Sequence, residues 1–151
     1  FPYTTLFRSE KPVQPLALAL THGATFVARG FPGDLAHLRW LIGEALAHPG
    51  YALVDILQPC VTFNSPRAYD FYRERVYKLQ EEGYDAGDRT AAWERAQEWG
   101  DRIPIGIFYR VTPGPTLEAQ EPVLQDGPAL VKRPLETLTP DQVEGLLAEL
   151  R

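Results

Sequence analysis

The sequence predicts an α/β fold built on a parallel sheet, and two observations support this. Residues 24–57 show a strand-like pattern, then a helix-like pattern, then a second strand-like pattern. The second of these strands, residues 51–57, is an apolar and partly β-branched run that stops just before Pro59, which has no backbone N–H to extend a ladder. A strand–helix–strand unit of this kind runs its strands in parallel through a right-handed crossover, so we expect a buried parallel pair.

The first half of the chain carries clear signals for where its helices begin and end. Residues 16–22 predict a short helix that stops at Gly23, and residues 24–28 predict a strand. Asp34 stands at an N-cap position, where its carboxylate accepts a backbone N–H at the start of a helix ending near His48. Apolar residues recur along that helix at helical spacing: Leu38, Leu41, Ile42, Ala45 and Leu46.

The second half is predicted to be more helical and then irregular. Residues 67–82 predict one helix with a wide apolar surface, and Asp88 is predicted to cap another over residues 89–99. Residues 103–111 predict a strand, with Pro104 at its start or at a sheet edge. A proline-rich stretch over residues 113–138 predicts irregular structure. Thr139 as N-cap and Pro140 at the first helical position then predict a final amphipathic helix.

Composition excludes several classes of function. The net charge is −5, whereas broad nucleic-acid binding needs clustered excess Lys and Arg, so no nucleic-acid partner is expected. No apolar stretch approaches the ~20 residues of a membrane span, so no membrane partner is expected either. One cysteine rules out an internal disulfide framework and fits a reducing cytoplasm. The three histidines, His22, His37 and His48, lack metal-site spacing and are assigned surface or capping roles.

The amino terminus does not look like part of a protein domain. Residues 1–9 correspond to the in-frame translation of a common sequencing-library adapter, and all nine codons fit. Residues encoded by an adapter carry no information about the fold. The alternative is an ordinary N-terminal strand or tail, since the segment is aromatic and β-branched.

A much longer pattern follows. Its segments occur in order and almost without gaps at residues 17–20, 23–31, 33–34, 52–55, 58–64, 74–79 and 99–106. Through these segments the chain resembles the β subunit of the 2-oxoacid:ferredoxin oxidoreductases over roughly residues 10–112. The Val-Thr-Phe-Asn sequence that follows Cys60 is more similar to the 2-oxoglutarate-type or broad 2-oxoacid members than to the pyruvate-type members.

The resemblance implies the C-terminal half of a thiamin-diphosphate-binding, Rossmann-like parallel sheet with a helical C-terminal extension. The implied divisions are residues 10–64 for the α/β part, 65–112 for the family extension and 113–151 for a proline-rich tail. In such proteins the residues that hold Mg²⁺ and thiamin diphosphate lie upstream of residue 10. No catalytic or cofactor-binding residue is therefore assigned here.

Cys60 is the site residue that the resemblance singles out. It matches the fourth cysteine ligand of the family's 4Fe–4S cluster, whose other three ligands lie outside this chain. Iron–sulfur clusters are held by thiolates, and Val61 and Phe63 are expected to shield the metal from water. Without the resemblance, a lone cysteine after a strand is more often an inert core residue.

The implied activity is coenzyme A-dependent oxidative decarboxylation of a 2-oxoacid, with 2-oxoglutarate expected, and electron transfer through the cluster to ferredoxin. The implied partner is an α subunit, and the chain alone is expected to be inactive. Two alternatives stay open: a small non-catalytic α/β interaction domain, and a cluster-free thiamin-dependent synthase or decarboxylase.

A group of basic residues follows Cys60 in the sequence. Arg67, Arg73, Arg75 and Lys78 form either a docking patch for an acidic ferredoxin or a salt-bridged helix face. The second interpretation is favoured, because acidic residues are interleaved with these cations.

Overall fold

The first of two units is organised around a four-stranded sheet. The computed structural model describes residues 13–60, 62, 68–111, 116–121, 130–132 and 139–149. Residues 1–116 belong to the first unit and residues 117–151 to the second. The proposed adapter residues 1–9 lie outside the described residues, so their origin stays a prediction.

The predicted strand–helix–strand unit is confirmed. Strand β1 (Phe26–Gly30) pairs in parallel with strand β2 (Ala52–Ile56), and helix α2 (Leu35–Ala47) connects them. A short helix α1 (Pro15–Thr21) precedes β1 and ends before Gly23, whose φ of 81° suits glycine. Asp34 caps α2 as predicted, because its Oδ1 accepts the His37 N–H at 3.0 Å.

The α/β fold class is confirmed, and the sheet is mixed rather than wholly parallel. Its order is β2-β1-β4-β3, with strand β3 at Val76–Lys78 and strand β4 at Ile103–Arg110. Strand β4 runs antiparallel to β1 and parallel to β3. Pro104 lies near the start of β4, where β3 is paired but the pairing with β1 begins only at Gly106. Both predicted features therefore hold locally: a strand start, and a side without a ladder partner for the missing N–H.

The prediction of one helix over residues 67–82 is wrong. The structure has helix α3 (Ala68–Arg73), then β3, then a 3-10 turn (Leu79–Glu82) that ends at Gly83. Val76 and Tyr77 favour strands and find partners in Ile103 and Pro104, so tertiary pairing overrides the helical spacing. The next helix, α4 (Arg89–Ala96), is capped by Asp88 as predicted and ends earlier than expected.

Helices cover the two faces of the sheet and form separate parts of the core. On one face Leu16, Leu20, Ala92 and Ala96 of α1 and α4 pack with Val27. On the other face Leu41 of α2 packs with Phe26, Ala28 and Ile107. Alternate residues of β1 thus face opposite layers, as the two-residue strand period requires.

Strand β2 is half-buried, so the expectation of a fully buried core strand is wrong. Its first four residues are partly buried, and Ile56 is exposed. The reason is its position at the end of the sheet, where it has one neighbouring strand within the described residues.

The second unit contains helix α5 (Leu117–Gln120) and the predicted final helix α6 (Pro140–Glu149). The Thr139 N–H donates to Gln142 Oε1 at 2.8 Å, while the Gln142 N–H donates to Thr139 Oγ1 at 3.4 Å. This reciprocal pair is a capping box and confirms the predicted start of the helix. Among the described residues, none of the helices combines the length and apolarity needed to traverse a bilayer.

Candidate functional site

The carboxyl ends of β1 and β2 meet at one edge of the sheet, where α/β proteins commonly bind ligands. Gly30 and Ile56 are register partners there, and the Leu57 N–H donates to the Gly30 carbonyl oxygen at 2.9 Å. Arg29 and Asp55 lie one residue before the strand ends, and Cys60 follows β2 by a short extended segment. These three residues are the chemistry-bearing groups of the edge.

Cys60 lies where the sequence placed it, just beyond the end of β2. Pro59 is buried and Cys60 is exposed, which argues against the interpretation of this cysteine as a core residue. Val61 and Phe63, expected to shield a metal, lie outside the described residues. Across the described ranges no group of three or more His, Cys, Asp or Glu side chains could hold a metal ion. Cys60 as a cluster ligand therefore stays a prediction.

A buried ion pair beside this edge was missed by sequence reasoning. Arg29 Nε donates to Asp55 Oδ2 at 2.8 Å, and the Arg29 side chain is 2% exposed against 23% for Asp55. The guanidinium carbon lies 5.5 Å from the Trp99 ring and 5.6 Å from the Phe108 ring. The sequence did contain a signal for this pair. Each of the two parallel apolar strands carries one charged residue at the same position, and these two residues, Arg29 and Asp55, are register partners in the sheet.

A cavity of about 410 Å³ opens next to this pair. Its walls are Val13, Gln14, Pro15, Arg29, Asp55, Leu57 and Trp99. Arg29 Nη1 is buried and has no hydrogen-bond partner within the described residues. Buried polar groups in proteins are nearly always satisfied, so an unsatisfied guanidinium nitrogen marks a place that needs an explanation.

The loop after β1 is held by a second charged group. Asp34 Oδ2 lies 2.9 Å from Lys78 Nζ, which ties this loop to β3. The His37 N–H and then Lys78 hold the pKa of Asp34 below its usual range, and Asp34 raises the pKa of Lys78. Burial lowers the pKa of His37, so the neutral imidazole is favoured there.

Three of the four basic residues singled out after Cys60 are described, and all three are ion-paired. Arg73 lies 3.0 Å from Asp70 and Arg75 lies 3.4 Å from Glu74. Lys78 is engaged by Asp34, and Arg67 lies outside the described residues. These contacts support the salt-bridged surface over the ferredoxin-docking patch.

Two of the histidines, His22 and His48, are C-cap residues, and they differ in burial. His22 caps α1, and its Nδ1 lies 2.9 Å from the Leu18 carbonyl oxygen, which matches the predicted capping role. His48 also caps its helix, but it is buried, with Nε2 2.8 Å from Thr25 Oγ1, so a surface position is wrong. Burial and then the nearby Arg110 charge lower the pKa of His48.

Comparison with known proteins gives consistent results. The family model for the C-terminal region of the pyruvate ferredoxin oxidoreductase beta subunit matches residues 60–126. The 2-oxoacid:ferredoxin oxidoreductase subunit beta of a Sulfolobus species is 42% identical over 127 residues, which are 70% of this chain and 42% of that protein. Its namesake from Saccharolobus solfataricus is 43% identical over 108 residues, or 65% of this chain and 35% of that protein.

A solved structure is similar in both sequence and fold. It is a 2-oxoglutarate:ferredoxin oxidoreductase from Magnetococcus marinus with 2-oxoglutarate, coenzyme A and succinyl-CoA bound. It is 39% identical with a TM-score of 0.67, and the match covers 74% of this chain and 38% of that one. The resemblance predicted from the sequence is confirmed, and the match spans less than half the length of these relatives.

Proposed function

We propose that this chain, a homologue of the β subunits of 2-oxoacid:ferredoxin oxidoreductases, is the C-terminal part of such a subunit. The observation that carries the proposal is the joint agreement in sequence and fold with a solved enzyme, at 39% identity and a TM-score of 0.67. The parent protein would catalyse coenzyme A-dependent oxidative decarboxylation of a 2-oxoacid in the cytoplasm, together with an α subunit. Homologues that are enzyme subunits favour this over a non-catalytic interaction domain.

Within that proposal, Cys60 supplies one thiolate to a 4Fe–4S cluster. Three features support the role: the side chain is exposed, it follows the end of a sheet strand, and the buried Pro59 fixes the backbone just before it. The remaining ligands come from other segments, because the described residues contain no cluster of metal-ligating side chains. A bound iron–sulfur cluster would supply single-electron transfer toward ferredoxin.

Thiamin diphosphate and Mg²⁺ are proposed as cofactors of the whole subunit and not of this chain by itself. The sequence contains no Gly-Asp-Gly: Gly33-Asp34, Gly87-Asp88 and Gly100-Asp101 are followed by leucine or arginine. No residue here is assigned to either group. The chain alone is accordingly expected to show no 2-oxoacid-dependent electron transfer.

The decisive experiment replaces Cys60 in the complete β subunit assembled with its α subunit. Cys60→Ala is expected to lower iron content, to remove the electron paramagnetic resonance signal of the reduced cluster, and to slow ferredoxin reduction at least tenfold. Thr62→Ala, also at an exposed position just after β2, is the matched control and should leave all three unchanged. Full iron content and normal electron transfer in Cys60→Ala would refute the ligand role.

The substrate is proposed to be 2-oxoglutarate, the 2-oxoacid bound in the similar solved structure. Ferredoxin reduction by the complete complex should then be faster with 2-oxoglutarate than with pyruvate when both are saturating. A clear preference for pyruvate would remove the 2-oxoglutarate assignment and leave the family assignment intact.

A further inference from the structure

The cavity beside Arg29 has the features of a binding site. It measures about 410 Å³, inside the range of roughly 300–1,000 Å³ typical of small-molecule pockets. Most of its wall is apolar, from Val13, Pro15, Leu57 and Trp99. Its charged groups are Arg29 and Asp55, which already neutralise each other through one hydrogen bond.

Arg29 has donor capacity that the protein does not use. Asp55 accepts from Nε, whereas Nη1 is buried without a partner in the part of the chain that the structure describes. The side chain is only 2% exposed and is held between Asp55 and the rings of Trp99 and Phe108. A guanidinium fixed in this way is preorganised for a second planar anion, since arginine binds carboxylates through more than one nitrogen.

We propose that this cavity binds one carboxylate group carried on an apolar body, with Arg29 as the anion ligand. Arg29 lines the cavity, and the incoming carboxylate accepts the hydrogen bond that Nη1 lacks once the groups that cover this nitrogen move aside. The apolar body then lies against Leu57 and Trp99. Cys60 does not line this cavity, so the proposed carboxylate site can be tested separately from the proposed cluster ligand.

The Asp55 carboxylate sets the charge that the site accepts. A monoanion adds one negative charge beside a neutral ion pair, whereas a dianionic phosphate adds nearly two at the same short distance from Asp55. Electrostatic repulsion is stronger inside a protein than in water, so the phosphate is disfavoured. A carboxylate is favoured over a neutral analogue because its hydrogen bond to the guanidinium is charge-assisted and stronger than that of an amide oxygen. Together the two effects select apolar monocarboxylates over neutral analogues and over phosphate esters.

Three probes of similar shape test the proposal on the complete β subunit: phenylacetate, the neutral phenylacetamide, and phenyl phosphate. Dissociation constants come from calorimetry, and the indole N–H resonance of Trp99 reports whether the cavity is occupied. Phenylacetate is expected to bind at least tenfold more tightly than either analogue. Equal binding of phenylacetate and phenylacetamide, or tighter binding of phenyl phosphate, would overturn the proposal.

Variants then assign the effect to Arg29. Arg29→Gln should abolish the preference for phenylacetate, while Arg73→Gln, which removes an exposed arginine, should leave it unchanged. Leu57→Phe keeps both charges and fills the cavity, so it should weaken phenylacetate binding at least fivefold even if Arg29→Gln fails to fold. Unchanged affinity in Leu57→Phe, or in a folded Arg29→Gln, would place the probe elsewhere and refute the site.

Discussion

The edge of the sheet at β1 and β2 and the surface around α3 both carry arginine–carboxylate pairs, yet the pairs differ in their surroundings. Arg29 and Asp55 are 2% and 23% exposed, whereas Arg73 and Asp70 are 63% and 59% exposed. The separations are close, 2.8 Å and 3.0 Å. Burial, and not contact distance, therefore separates the two regions.

This difference in burial indicates which of the two ion pairs is suited to a binding site. Exposed pairs typically contribute roughly 0–1 kcal/mol, because water and salt screen them. A buried charge without its counter-ion carries a large free-energy cost, so the contact with Asp55 is needed to keep Arg29 buried. The segment after Cys60 is rich in charged residues, but its Arg73–Asp70 pair is exposed to solvent. Arg29 is the arginine that has the buried environment of a binding group.

The largest expected effect comes from removing the Asp55 carboxylate, which is the counter-ion of the buried Arg29. Asp55→Ala leaves Arg29 buried without its counter-ion and should lower the free energy of unfolding by about 3–5 kcal/mol. Asp70→Ala, the exposed counterpart, should cost less than about 1 kcal/mol. Urea unfolding of both variants measures this, and similar losses in the two would break the comparison.

The second-largest expected effect on stability is at Gly106, which lies opposite Arg29 in the sheet. Gly106 has a φ of 119° and is the β4 register partner of Arg29, and an added Cβ would clash with the Gln80 side chain. Gly106→Ala should therefore destabilise the protein by roughly 1–3 kcal/mol. Gly43→Ala in α2, where an added Cβ meets nothing within 4 Å, should instead stabilise it by about 0.5–1 kcal/mol. Thermal unfolding should shift in opposite directions in the two variants, and a shift in the same direction would contradict this reasoning.

The ion pair between Asp34 and Lys78 has an exposure between those of the two pairs above, and substitution of Asp34 tests its contribution. Asp34→Ala removes the cap of α2 and should cost about 0.5–2 kcal/mol at pH 7, while Asp34→Asn keeps an acceptor for the His37 N–H and should cost less. Because the folded pKa of Asp34 is lowered, its contribution is present above about pH 4 and is lost as pH falls further. The difference between wild type and Asp34→Ala in urea should shrink accordingly. A constant difference down to low pH would contradict the assignment.

The smallest effect concerns His48. Its folded pKa is lowered by burial, so its contribution to stability is present above the usual histidine value of about 6.5 and is lost as pH falls. His48→Gln retains a polar group beside Thr25 and cannot titrate. The variant should therefore show a weaker fall in unfolding free energy between about pH 7 and pH 5 than wild type, measured by urea unfolding at several pH values.

Sequence alone determined the locally encoded parts of this protein. The starts of α2, α4 and α6 followed from Asp34, Asp88 and Thr139, because a cap depends on a hydrogen bond to residues two or three positions away. The parallel pair, the family resemblance and the position of Cys60 after β2 were also accessible from the order of residues.

Tertiary structure decided strand β3, the direction of β4, the half-exposure of β2 and the environment of Arg29. Each depends on partners far apart in the chain: Val76 pairs with Ile103, and Arg29 meets Asp55 and Trp99. Short-range patterns do not establish which distant residues become partners, and the same Val-Tyr-Lys segment fits a helix until a neighbouring strand is available. The burial that distinguishes Arg29 from the other arginines that the structure describes exists only once those distant segments have packed together.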